Sequence, residues 1–313
     1  TLVYAAIRYA VNSLLEVDIY ARKYDKNAKK WVEIPDHPAV KLLKDPNPWY
    51  GYNTLMSGWV VSELAGSAGM SYTYKHRSAA GKLVGLEYLP HFGIFPYASG
   101  GDRGSFIDYY QVSVPGGFRK VDPANILAQR YAPIDPLRPQ VCYGPINAAL
   151  MELVTDREAA NYTAAILANA GVTPHLISPA ISRDTGAIQL VFGEEQITQV
   201  RAAMKQVSGP DRGRALLIPV PVEVKSLSFS PSDMNLEAIR NISEERLCAV
   251  LGIPPHVLHL GSGLENQNNR ASAEAASRSA ARSFTKPYML TKAMELTRDL
   301  IPELGDEGEE LCF

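Results

Sequence analysis

Most of the usual handles on function are missing from this sequence. Cysteine is scarce: Cys142, Cys248 and Cys312 are odd in number and lie in no metal-type spacing. That excludes a disulfide scaffold and fits inert thiols in a reducing compartment. No window approaches eighteen uninterrupted apolar residues and no signal-peptide pattern is present, so neither a membrane span nor secretion is predicted. The net charge of −2 provides no global basic footprint, and any contact with nucleic acid has to come from local patches. Catalytic motifs are absent too. His256 and His259 form an HxxH pair without the glutamate of HExxH, and they follow Pro254-Pro255 in a loop. Gly261-Ser262-Gly263 is followed by no GK[ST], and there is no GxSxG and no Cys/His signature of catalytic type. No pair of carboxylates stands out in an apolar setting. The expectation is a chain without metal, cofactor or enzymatic activity.

What is present is globular in composition. With 313 residues, 46% hydrophobic and 20% charged, the chain is long enough for one large or two to three small domains. It opens at Thr1 rather than Met, as a piece of a longer protein would. The run from Glu265 to Ser283 (ENQNNRASAEAASRSAARS) has no apolar side chain larger than alanine and cannot build a core. Its second half still reads as helix, with Glu274 and Arg278 at the favourable i,i+4 spacing. Such a helix is solvated, packed against copies of itself, or lining something wet. Around it Arg270, Arg278, Arg282, Lys286, Lys292 and Arg298 crowd one segment. The tail Glu303, Asp306, Glu307, Glu309 and Glu310 reads as a frayed acidic terminus.

Punctuation and periodicity predict an α+β chain. An amphipathic helix covers Ala5 to Leu15, and the alternation of Val17, Ile19, Tyr24 and Trp31 predicts strands. DPNPWYG (Asp45 to Gly51) is a strong breaker before a helix from Tyr52 to Ala65 with Leu55, Trp59 and Leu64 as core anchors. Met70 to Lys75 and Leu83 to Leu89 predict a hairpin around Ser78-Ala79-Ala80-Gly81. Short strands continue through residues 92 to 143. Gly144-Pro145 then starts a helix expected to run unbroken to Gly171, roughly 25 residues and about 37 Å. Residues 172 to 230 predict a small αβ insert. A return helix from Ser230-Pro231 to Gly252 carries Leu236, Ile239, Leu247 and Val250 at helical spacing.

Three spaced motifs carry a resemblance. LLKDPNPWYG, VDPANILAQRY before the GP-initiated helix, and the stretch from SGPDRGRALLIP to EERLCAVLGIPPHVLHLGSGLENQNN together resemble the HK97-type portal proteins of tailed bacteriophages. The most specific part is Ser208 to Leu260, where Gly209, Gly213, Pro231, Glu245, Gly252, Ile253, Pro254 and Pro255 follow the family pattern in order. The resemblance spans about residues 38 to 304. It implies an α+β portal fold: wing at 1–147, stem helices at 148–171 and 231–252, clip at 172–230, tunnel loop at 253–272, long wing helix at 273–301, and a crown reduced to 302–313.

The same resemblance implies a homo-oligomeric ring, typically of twelve subunits, at the portal vertex of the virion capsid, assembled in the host cytoplasm. Double-stranded DNA passes through its channel without sequence specificity. Implied partners are the terminase large subunit, head-completion or adaptor proteins, and the capsid or scaffold protein, with no membrane. Candidate DNA-facing residues are Asn266, Gln267, Asn268, Asn269 and Arg270, with His256 and His259 behind them. Few charges there keep phosphate binding weak enough for DNA to move. Arg183, Asp184, Arg212 and Arg214 are candidates for terminase or subunit contacts at the clip. Asp233, Glu237, Arg240 and Glu244 recur at three- and four-residue steps, as a channel-lining or inter-subunit face would. The tunnel loop from Gly261 to Asn269 is expected to be mobile. Two alternatives stand beside this: a nucleic-acid-processing enzyme with an unrecognised metal site, and a non-viral scaffold or adaptor.

Overall fold

The computed structural model describes residues 2–98, 106–168, 175–179, 193–195, 197–199, 202, 222–226, 236–260 and 270–313. The chain forms two units. The first comprises Thr1–Glu152 and Glu244–Phe313, and the second Leu153–Ser243.

The first unit is organised around β3 (Met70–Arg77), the middle strand of an antiparallel sheet with β4 (Leu83–Leu89) on one side and β8 (Ile126–Arg130) on the other. The alternation of MSYTYK sends successive side chains to opposite faces. Met70 and Tyr72 pack with Ile94, Tyr110, Val121, Ile126, Ala128 and Cys142. Ile94, Tyr110 and Val121 come from a second antiparallel sheet formed by β5 (Ile94–Tyr97), β6 (Tyr109–Val114) and β7 (Gly117–Val121). The opposite face of β3 carries Ser71, Thr73 and Lys75, and all three are buried.

The predicted helix at Tyr52–Ala65 is present as α3, and Leu55, Trp59 and Leu64 are buried as expected. Trp59 Nε1 donates to Thr73 Oγ1 at 2.7 Å, which is how the polar face of β3 accepts a helix without stranding an indole N–H. Preceding elements are α1 (Leu2–Leu15), β1 (Tyr20–Asp25), β2 (Lys30–Ile34) and α2 (Pro38–Lys44). Ala6, Ala10 and Leu14 form the buried i,i+4 stripe of α1.

A short hairpin, β9 (Ile134–Asp135) and β10 (Arg138–Cys142), leads to Gly144. The helix expected to run unbroken from Pro145 is interrupted. It divides into α4 (Pro145–Ala148) and α5 (Leu150–Ala168) at Ala149, whose φ of −97° and ψ of 13° leave the helical region. The cause is tertiary. Asn147 Nδ2 donates to the Ser67 carbonyl at 2.7 Å and Ala149 is fully buried, so the first turn belongs to the core of the first unit. The expected end at Gly171 lies outside the described residues.

In the second unit, β11 (His175–Pro179) pairs antiparallel with β12 (Val222–Ser226), His175 opposite Ser226. The return helix, α6, is described from Leu236 to Leu251; its expected start at Ser230-Pro231 lies outside the described residues. Its end follows from sequence. Gly252 takes φ +68°, Ile253 N–H bonds Cys248 O at 3.0 Å and Gly252 N–H bonds Ala249 O at 3.2 Å, the paired bonds of a Schellman cap, and Pro254-Pro255 forbids continuation. Leu247 is buried, but Val250 is 41% exposed; Cys248 and Leu251 take the inner positions instead.

The long helix near the C-terminus consists of α7 (Arg270–Ala280), a π turn at Ala281–Thr285, and α8 (Lys286–Leu304). The extra residue of the π turn lets Phe284 enter the core while Ser283 Oγ donates to the Gly252 carbonyl, so the end of α6 and the bend are fastened together. The acidic terminus is not frayed. Glu309–Cys312 forms β13, which pairs antiparallel with β1, Tyr20 opposite Cys312 and Lys23 opposite Glu309. Burial raises the Glu309 carboxyl, but the Asp306 amide, His37 and Lys23 outweigh it and hold its pKa below the ordinary value.

The thiols differ in access. Burial raises all three thiols, Cys142 and Cys248 to about 11, but Cys142 and Cys248 are buried whereas Cys312 is only half-buried at the end of β13. In the unassembled native chain at neutral pH a maleimide is expected to label Cys312 alone, with Cys142 and Cys248 reacting only after denaturation. Peptide mass analysis reads the result, and prompt labelling of all three would contradict it.

Candidate functional site

The candidate residues fall into three groups. Asn266, Gln267, Asn268 and Asn269, the expected mobile loop from Gly261 to Asn269, Arg183, Asp184, Arg212, Arg214 and Asp233 lie outside the described residues. Arg270 is the first residue of α7 and Glu237 lies in the first described turn of α6. Arg240, Glu244, His256 and His259 are placed in full.

Arg240 is not free for a neighbour. Within the second unit its Nε meets Asp156 Oδ1 on α5 at 3.0 Å. Within the first unit Arg246 Nη1 meets Glu152 Oε1 at 3.2 Å. Both arginines are largely exposed, so each pair contributes at most about 1 kcal/mol and acts chiefly on register. Glu244 is half-buried one turn beyond Arg240.

His256 and His259 sit on the 3₁₀ turn Pro255–Leu258 and just after it, His259 with φ +54°. His259, Val257 and Leu258 line a cleft of about 320 Å³ against Tyr4, Arg8 and Tyr9 of α1. Among the described residues no group of three His, Cys, Asp or Glu is placed to hold a metal ion.

The densest polar chemistry is a cluster that sequence reasoning missed. Lys292 of α8 and Glu63 of α3 are both fully buried and form an ion pair through Nζ and Oε1. Glu295 Oε2 lies 3.7 Å from the same ammonium, and its Oε1 accepts from the Arg130 amide at 2.7 Å. Ser71 Oγ donates to Glu63, and the Lys292 ammonium stands 5.4 Å from the centre of the Tyr288 ring. Burial raises the Glu295 carboxyl, with Lys292 pulling the other way. Burial and the adjacent Glu63 carboxylate push Tyr288 well above its ordinary range. Two rungs further along α8, Lys75 Nζ meets Glu303 Oε1 at 2.8 Å and Arg77 Nη1 meets Glu303 Oε2 at 2.7 Å. No carboxylate pair stands out in the sequence, yet Glu63 and Glu295 are both buried beside one ammonium. A signal existed: Glu63 stands one turn after Trp59, and Lys292 lies between Tyr288 and Leu296, so each charge sits inside an apolar helical stripe.

This cluster is closed. It is shut off from solvent between α3, β3, β8 and α8, although Glu63 Oε2, Gln129 Nε2 and Glu295 Oε2 have no hydrogen-bond partner among the described residues, and such a buried ion pair suits the fixing of a long helix more than the handling of a substrate.

A family model described as phage portal protein matches residues 1–313. No curated protein matches. Among solved structures, one from the neck of the native GTA particle computed with C12 symmetry has a TM-score of 0.66 at 21% identity, covering 100% of this chain and 80% of that one. One from the virion of the native gene transfer agent particle has a TM-score of 0.63 at 20% identity, with the same coverages. The crystal structure of an HK97 family phage portal protein from Corynebacterium diphtheriae has a TM-score of 0.65 at 14% identity, covering 100% of this chain and 92% of that one.

Proposed function

The chain belongs to the phage portal protein family, and from that membership we propose that it is the repeating subunit of a ring at one vertex of a viral or virus-like capsid. The observation that carries this is the match of the family model over the entire chain, accompanied by solved portal and neck structures that cover it end to end. The family is structural rather than enzymatic. The GTA neck was computed with C12 symmetry in its native form and C6 in its empty form, which supports a ring of about twelve copies here.

In this reading residues 1–147 and the helix 273–301 form the wing, 148–171 and 231–252 the stem, 172–230 the clip, and 253–272 the tunnel loop. The segment 302–313 follows the long helix, with β13 fastening its end to β1. DNA passes the tunnel loop at Asn266, Gln267, Asn268, Asn269 and Arg270. One arginine per subunit, repeated around the axis, makes a belt that attracts phosphate without a dense and strongly salt-dependent grip. The clip residues Arg183, Asp184, Arg212 and Arg214 meet the terminase large subunit during packaging and head-completion proteins afterwards. Asp233 and Glu237 face the channel or a neighbouring stem, whereas Arg240 is engaged by Asp156 of its own chain.

Native mass spectrometry tests the reading directly. The expected result is a closed assembly of about twelve times the 34.2 kDa chain mass. A monomer persisting across protein and salt concentrations would overturn it.

A further inference from the structure

Two features of the first unit remain unexplained by its own packing. The first is a projection. In the DPNPWYG turn, Asn47 Oδ1 accepts from the amides of Trp49 at 3.0 Å and Tyr50 at 3.2 Å, and Asn47 Nδ2 donates to Leu86 O at 2.8 Å. Leu86 N–H bonds Pro46 O at 2.7 Å, and Tyr88 N–H bonds the Tyr50 hydroxyl at 2.7 Å. The turn is thus braced on β4 from both ends, with prolines on either side of Asn47. Yet the residue it presents, Trp49, is 75% exposed. The backbone that presents this large aromatic is fixed, so binding has to order only its side chain, a favourable property for an interface anchor.

The second feature is a groove along α8. Lys286, Leu290, Met294 and Arg298 follow one another at i,i+4 spacing and are all exposed, Leu290 by 56% and Met294 by 73%. Between this stripe and the end of β13 lies a cavity of about 300 Å³, lined by Met289, Ala293 and Cys312. A second cavity, of about 360 Å³, continues past Met294 to Arg298. The floor is apolar; Lys286 stands at one end, and at the other Arg298, paired with Asp299 at 2.6 Å, lies beside Glu310.

A closed ring is built from one heterologous contact, in which a patch of each subunit meets a different patch of the next. The projection and the groove are such a pair: one convex and aromatic with the exposed carboxylate of Asp45 at its base, the other concave and apolar between Lys286 and Arg298. We infer that Trp49 of one copy seats in the α8 groove of the neighbouring copy. This rests on the ring reading and specifies which surfaces close the ring.

The test uses the full chain and its native Cys312. Asp45→Cys places a thiol at the base of the projection while leaving Trp49 in place. Treatment with a short bis-maleimide is expected to give a covalent ladder on a denaturing gel, rising to the ring number, and Cys312→Ser is expected to abolish it. Trp49→Ala is expected to raise the protein concentration needed for assembly by roughly thirtyfold, and Met294→Glu by a similar factor. Both positions are exposed, so circular dichroism and thermal unfolding of the monomer should be unchanged. Full-mass rings without a ladder, or with Trp49→Ala assembling like the unaltered chain, overturn this contact and leave the ring standing. Failure of the unaltered chain to form rings overturns both.

Discussion

Lys292→Met is expected to lower the stability of the first unit by about 3–5 kcal/mol, the cost of breaking a buried ion pair from one side. The ammonium is fully buried and, among the described residues, is the one cation in an ion pair with Glu63, whose carboxylate is also fully buried, while Glu295 shares it at 3.7 Å. Without it two acids remain in a medium that solvates them poorly, and the Ser71 hydroxyl and Arg130 amide do not neutralise either charge. The pH dependence follows from the direction of the Glu295 shift. Its folded-state pKa is raised by burial, so the folded form binds its proton more tightly than the unfolded chain does. Stability on this account falls as pH rises through the interval between the unfolded and folded values. Removing Lys292 takes away a group that pulls the pKa down and widens that interval. The deficit of the variant should therefore shrink as pH is lowered toward the ordinary carboxylate range. Denaturant unfolding at two pH values reads both effects. Lys292→Met combined with Glu63→Leu should recover much of the loss, since a buried pair replaced by apolar groups is often neutral. A single-variant loss below about 1 kcal/mol would show that the pair is not the constraint its burial implies.

Gly144→Ala is expected to cost about 3 kcal/mol, at the upper end of what overpacking usually costs. Its φ of −63° and ψ of 146° suit any residue, so the cost is one of space and not of backbone strain. An added Cβ would overlap the Gly66 carbonyl oxygen and stand 2.9 Å from Ser67 O and 3.0 Å from Gly69 N. All three are backbone atoms, and no flexible side chain can give way. The same backbone is held by Gly144 N–H to Ser67 O at 3.1 Å and Cys142 N–H to Ala68 O at 3.1 Å. A shift large enough to admit a methyl group breaks these bonds, which carry the chain from β10 into α4. Thermal unfolding of the full chain tests this, and a variant as stable as the unaltered protein would show that the α3–β3 turn can move.

Local punctuation explains which elements were legible in advance. The limits of α3 and the β3–β4 hairpin follow from DPNPWYG and from Ser78 to Gly81, and the end of α6 follows from Gly252-Ile253-Pro254-Pro255. The break at Ala149 was not legible, because neither glycine nor proline marks it; a side chain bonding a carbonyl eighty residues away does. The polar face of β3 reads as solvent-facing by alternation alone. It is buried because α3 and α8 cover it, and α8 arrives more than 200 residues later. An acidic tail reads as solvated, yet basic β1 across from it gives Glu309 and Glu310 partners in Lys23 and Arg22. For the candidate site, the family motifs were readable because glycines and prolines carry them. The buried cluster was hidden because its members are 229 positions apart in the case of Lys292 and Glu63.

The pairing of β13 with β1 also sets an order of events during synthesis. The sheet cannot close until residue 312 is available, more than 290 residues after its partner Tyr20 has been made. In between, the chain lays down the whole second unit, about 90 residues from Leu153 to Ser243. Any structure that this unit forms early shortens the effective loop that the two parts of the first unit must close, and loop closure becomes dearer with length. A ribosome-bound chain stopped before α8 therefore exposes Glu63 and the α8-facing side of β3, and the first unit is completed only once α8 and β13 have been made.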